Sequence, residues 1–157
     1  MEALQWANNK LRKVGVDSPM LDAEILLAYS LETSKAWLFA HFTDKLKSHQ
    51  EEKFFQLVER REDREPVAYL VGKKAFYGRD FHVNKNVLIP RPETEVMIDL
   101  AIKLLADKDP ERTLVADLGT GSGAIAVSLA AETKLPVIAV DIDENAITIA
   151  KKNAEAL

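Results

Sequence analysis

With 157 residues, 47% hydrophobic and 29% charged, the chain has apolar material for one good core or two small ones. A formal net charge of −4 argues against a general nucleic-acid binder, and the absence of cysteine excludes disulfides, thiolate metal sites and a catalytic thiol. Charges begin at Glu2 and no long apolar run follows, so neither a signal peptide nor a membrane span is predicted and the cytoplasm is the expected compartment.

Residues 1 to about 65 read as successive helices. Leu4, Ala7, Leu11 and Val14 recur at helical spacing along one face, and Gly15 is placed to end that helix. Ser18 and Pro19 form an N-cap and first-turn pair, after which Leu21, Ile25 and Ala28 are expected to line a second apolar face. Ser34 can cap a short helix carrying Trp37, Leu38 and Phe39, whose aromatic positions read as core. Ser48 with Glu51 has capping-box spacing, predicting a helix through Phe54, Leu57 and Val58. Its tail, Glu59 to Glu65, reads as a solvated end of mixed charge. His41, His49 and His82 lack metal-ligand spacing, so surface or hydrogen-bonded structural roles are expected and no metal site is assigned.

Pro66 to Gly72 suits one helical turn and marks a boundary. Lys74 to Val83 then alternates aromatic and polar residues around Gly78, which predicts a β-hairpin joining two domains. In Leu88 to Glu95, Pro90 and Pro92 hold the chain extended ahead of an apolar helix from about Glu93 to Ala106. Glu93 and Glu95 suit the positive end of that helix. Nothing structural accounts for Arg91, a cation held between two prolines.

The densest signal runs from Val115 to Ala130 and resumes at Val137. Leu114, Val115 and Ala116 suit a buried parallel strand; Gly119, Gly121 and Gly123 then let the backbone turn sharply and approach a ligand. A helix from Ala124 to Ala131 follows, placing the loop at a helix N-terminus where unpaired N–H groups favour negative charge. Pro136 opens a second strand, Val137 to Val140, that stops at Asp141, a carboxylate suited to a ribose diol and roughly 20 residues beyond the loop. Two cofactor classes fit. The glycines satisfy G-x-G-x-x-G/A with Ala124 last, a dinucleotide pattern. The tighter description, D-x-G-x-G-x-G from Asp117, resembles the first motif of class I S-adenosylmethionine (SAM) methyltransferases, although Asp117 also suits capping the loop it precedes.

The segments AYLVGKKAFYGRDFHVNKNVLIPRPETE, DLGTGSGAIA and AVDIDENAITIAKKNA together resemble the PrmC/HemK family of protein-glutamine N5-methyltransferases, which modify class I peptide chain release factors. VDSPMLDAEILLAYSL and AWLFAH are similar to that family's N-terminal domain, so the resemblance covers nearly the whole chain. It implies an α/β protein: a helical substrate-recognition domain at 1–71, a β-hairpin linker at 72–87, and at 88–157 the first βαβα part of a Rossmann-like methyltransferase domain. It also implies SAM as cofactor, held by Gly119, Thr120, Gly121, Ser122, Gly123 and Asp141, with Asp117 beside them. Phe81, Arg91 and Thr94 are implied in the wall near the methyl donor and the substrate amide. Class I release factors are the implied partners, with no direct nucleic acid and no membrane.

The family's Asn-Pro-Pro-Tyr motif, whose Asn side chain and Pro carbonyl accept hydrogen bonds from the substrate amide, occurs nowhere in this sequence. The chain is therefore expected to correspond to the N-terminal portion of the enzyme, without catalytic residues and with little or no activity of its own. A non-enzymatic release-factor-binding fragment and a nicotinamide oxidoreductase fragment are the rival readings.

Overall fold

A computed structural model describes residues 2–41 and 44–157. The chain forms two compact units, which meet in sequence between Val71 and Gly72.

The first unit is helical: α1 (Glu2–Lys13), α2 (Pro19–Ser30), α3 (Lys35–Ala40), α4 (Ser48–Glu62) and α5 (Val67–Val71). Leu4, Ala7 and Leu11 of α1 are buried against Leu26 and Leu27 of α2 and Phe54, Leu57 and Val58 of α4. Full burial of one such leucine or phenylalanine contributes about 1.5–3 kcal/mol. Gly15, at φ +69, ends α1 as expected, and Ser34 caps α3 by accepting from Trp37 N–H at 3.1 Å.

Three local expectations are corrected. The buried stripe of α2 is Ala23, Leu26, Leu27 and Ser30 with Ala28, while Leu21 is exposed. That helix is apolar almost all round, so periodicity alone could not choose its inner face. Ser48 is the first helical residue rather than the cap; Lys47 takes the cap position and its N–H donates to Gln50 Oε1 at 3.0 Å. Trp37 and Phe39 are exposed rather than core, with Trp37 stacked on His41 at 3.9 Å between ring centroids.

The charged tail of α4 is more than a solvated end. Arg61 donates to Asp22 at 2.7 Å in a mostly buried pair that ties α4 to α2, and Arg64 donates to the carbonyls of Val14 and Gly15 that close α1. Arg60, paired with Glu65 at the surface, and the exposed Glu59 and Asp63 fit the solvated description.

The second unit contains β1 (Lys73–Phe76), β2 (Arg79–His82), α6 (Glu93–Leu105), β3 (Val115–Leu118), α7 (Ala124–Thr133), β4 (Val137–Val140) and α8 (Glu144–Ala156). β1 and β2 form an antiparallel hairpin with Phe76 opposite Arg79. β3 and β4 pair in parallel, Val115 opposite Val137, joined by α7, giving the β-α-β-α order expected from sequence. The hairpin is not a bare connector: Phe76 and Phe81 are buried with Ile98 of α6 and Ala124 and Leu129 of α7. Leu114, Leu118, Ile138, Val140 and Ile142 around the parallel pair are exposed, as are Val96, Met97, Leu100 and Leu104 on α6. Among the described residues, no helix is long and apolar enough to cross a membrane.

Candidate cofactor site

The site is built where β3 and β4 end side by side. Gly119 and Thr120 both donate their N–H groups to Val140 O, at 2.8 and 3.0 Å, which folds the glycine loop across the end of β4. Gly121 N–H donates to Asp141 Oδ2 at 2.8 Å, and Gly123 N–H closes the loop on Thr120 O at 2.8 Å. Thr120 is buried and its hydroxyl donates to Asp117 Oδ2 at 2.7 Å, so Asp117 does cap the loop.

The glycines answer different needs. Gly121 stands at φ +55, and a Cβ there would meet nothing within 4 Å, as at Gly119, so the loop has open space on that side. Gly123, at φ +77, is glycine for packing as well, since a Cβ would come within 3.1 Å of Ala150 Cβ on α8.

Four loop amides, those of 119, 120, 121 and 123, are thus engaged within the protein. The expectation of an anion-welcoming loop is corrected for these positions: the donors at 119, 120 and 121 hold the loop to β4 and Asp141, and that at 123 closes the loop on itself, rather than facing a phosphate. Asp141 also accepts from Asp143 N–H at 3.0 Å. The backbone N–H groups of Asp143, Gly121 and Ile142 hold its carboxyl below the usual aspartate range, so it is a carboxylate at neutral pH. A carboxylate offers about four acceptor positions, so these bonds do not exhaust its capacity to accept.

A cleft of 140 Å³ brings Gly119, Thr120, Gly121 and Ser122 together with Arg91 and Thr94, walled by Phe76, Leu88 and Pro90. Thr94 N–H and Glu95 N–H turn back to Arg91 O and Pro92 O, which starts α6 directly beside the loop. Asp141 touches the loop at Gly121 but is not among the cleft-lining residues. Phe81 is not brought to the cleft; it is fully buried behind Phe76, ring centroids 5.9 Å apart and nearly perpendicular. A larger groove of 430 Å³ lies in the first unit among Leu27, Leu31, Leu38 and Leu46, away from any such chemistry. Among the described residues, no group of three or more His, Cys, Asp or Glu side chains could hold a metal ion.

Sequence reasoning missed Phe76 as a cleft wall, Glu95 as an acceptor for the hairpin turn and Asn153 altogether. Tyr77 N–H donates to Glu95 Oε1 at 2.8 Å, a role that helix-end electrostatics had already explained away. Asn153 continues the buried stripe of α8 after Ala146 and Ala150, and an amide at a position where periodicity demands an apolar residue was the available signal.

Residues 2–72 match the PrmC N-terminal domain family, and residues 96–156 match the family of ribosomal protein L11 methyltransferase (PrmA). The chain is 39% identical over 158 residues to a release factor glutamine methyltransferase of Bacillus anthracis, covering 99% of this chain and 55% of that protein. It is 44% identical over 160 residues to one from Rhodopirellula baltica, covering 100% of this chain and 54% of the relative. A bifunctional methyltransferase of Rickettsia felis is 37% identical over 181 residues, covering 98% of this chain and 34% of the relative. The chain spans about half the length of the release factor glutamine methyltransferases it matches.

Proposed function

Because the chain resembles the PrmC family of release factor glutamine methyltransferases along its whole length, we propose that it holds the methyl donor, SAM, for N5-methylation of a glutamine in class I peptide chain release factors. The observation that carries the choice of cofactor is the state of the loop. Its amides at 119, 120, 121 and 123 are engaged, and carboxylates Asp117 and Asp141 bond to it. A pyrophosphate binds through free N–H donors, and these four amides do not offer them. Carboxylates instead suit a ligand rich in donors, and SAM brings ribose hydroxyls and an ammonium group.

Bound SAM supplies a methyl group on a sulfonium. Asp141 is assigned to the ribose diol, toward which its remaining acceptor capacity is directed while Gly121 and Asp143 hold it in place. Gly119 and Gly121 keep the loop surface low enough for close approach, while Thr120 and Ser122, both buried, fix its shape. Arg91 and Thr94 form the wall facing the methyl donor and the substrate amide. Phe81 supports that wall from the core, through Phe76, rather than by contact.

An amide nitrogen is a poor nucleophile until its lone pair is freed from the carbonyl, which requires acceptors on its N–H groups. No Asn-Pro-Pro-Tyr segment is present to provide them, so cofactor holding is the part of the reaction assigned to these residues. The helical unit is assigned to release-factor recognition. Isothermal titration tests the cofactor reading: SAM should bind the 157-residue chain and NAD should not, and the opposite pattern sinks it.

A further inference from the structure

We infer that Asn153 is a positioning residue for the glycine loop, a clasp that sets the loop and the β1–β2 hairpin together; this rests on the reading of that loop as the SAM site. Asn153 is fully buried, yet three hydrogen bonds satisfy its side chain. Its Oδ1 accepts from His82 N–H at 2.7 Å, and its Nδ2 donates to His82 O at 3.0 Å and to Ser122 O at 2.8 Å.

The bonds to His82 imitate a neighbouring strand, since one amide both accepts from and donates to the same residue's backbone. The third bond reaches the middle of the loop. By holding the Ser122 carbonyl it fixes the plane of the Ser122–Gly123 peptide, and that plane sets the left-handed turn at Gly123 from which α7 starts. One helical turn earlier, Ala150 fills the space beside Gly123, so α8 meets the loop at two successive positions of one face. The hairpin end of the clasp bears on the cleft as well, because Arg79, three residues before His82, pairs with the cleft-lining Phe76.

An apolar side chain of similar size would fill the volume, but it would leave the His82 N–H and two carbonyls without this partner. The amide at this position therefore serves connection rather than packing.

The test uses the whole 157-residue chain with Asn153→Asp and Asn153→Leu. Aspartate keeps the shape but removes both Nδ2 donations and sets a carboxylate against two carbonyl oxygens. Amide hydrogen exchange without ligand, well below the melting temperature, should accelerate roughly tenfold or more in residues 79–83 and 119–123 together, with α1 and α4 at wild-type rates. SAM affinity should fall by about tenfold or more in the same variants. Unchanged loop protection in both variants overturns the clasp. Accelerated loop exchange with unchanged SAM affinity overturns the positioning role. A wild-type chain that does not bind SAM overturns the cofactor reading instead, and is told apart because the exchange arm contains no ligand.

Discussion

The Tyr77 hydroxyl, on the hairpin turn, donates to Asp99 of α6 at 2.7 Å, one helical turn beyond Glu95, which accepts the Tyr77 N–H at 2.8 Å. An aromatic residue at φ +48 is thereby held from both its backbone and its side chain. The turn that carries β1 into β2 is anchored to the helix that Arg91 and Thr94 begin.

Tyr77 is expected to titrate late. Its hydrogen bond to Asp99, reinforced by partial desolvation and by the nearby carboxylates, pushes the phenol up to about 12. A raised folded-state value adds stability that is fully present below the ordinary tyrosine value of about 10 and is lost as pH rises through 12. Ultraviolet titration should show one of the three tyrosines lagging, and Asp99→Asn should return it towards the others. Three tyrosines ionising together in the wild type would contradict the contact.

Asp141→Ala should weaken SAM binding by roughly tenfold or more, the loss expected when a charged acceptor disappears. Its depressed pKa fixes the pH dependence. The contribution of Asp141 to loop order is present above the ordinary aspartate value of about 4 and falls away as pH drops through the lower folded-state value. SAM affinity measured between pH 8 and 5 should therefore show no titration from this group. An Asp141→Ala chain with wild-type affinity removes the assignment.

Gly121→Val should abolish SAM binding while leaving the helical unit intact. A β-branched residue at φ +55 is strained by roughly 1–2 kcal/mol, and its side chain would occupy the open space beside the loop. Circular dichroism should remain helical as the binding heat vanishes; persistent binding would falsify the cradle.

The second unit should be the looser and the more adhesive of the two. Leu118, 78% exposed, and Ile142, 102% exposed, flank a parallel pair with no third strand among the described residues. Uncovered edges and apolar surface favour local opening or self-pairing. Hydrogen exchange should be faster across residues 113–157 than across 4–41 and 44–60, or protected only at concentrations where sedimentation shows oligomers. Uniform protection independent of concentration would mean that this half is self-sufficient.

What could be read from sequence was what is decided locally. The stop at Gly15, the cap at Ser34, the turn at Gly78 and the strand, loop and helix from Val115 to Thr133 depend on residues within a few positions of one another. The place of Asp141 directly after β4 was legible because the apolar run of that strand stops there. Partners chosen across long separations were not. Arg61 finds Asp22, Glu95 finds the Tyr77 amide, and Asn153 finds both His82 and Ser122 only after the elements have packed. Phe81, which the resemblance implied in the cleft wall, packs behind Phe76, and it is Phe76 that lines the cleft.

The contact between Gly123 and Ala150 restricts what each position can become. A methyl group added at 123 meets Ala150 Cβ at 3.1 Å and its backbone Cα at 3.2 Å, so truncating Ala150 relieves only part of the crowding, and the left-handed φ remains. Enlarging residue 150 presses on the same spot from the other side. Each site thus narrows the alphabet open to its neighbour, and the two behave as one evolutionary character. In a saturation library of both codons selected for a folded second unit, glycine should be recovered at 123 nearly alone, and position 150 should return only the smallest residues.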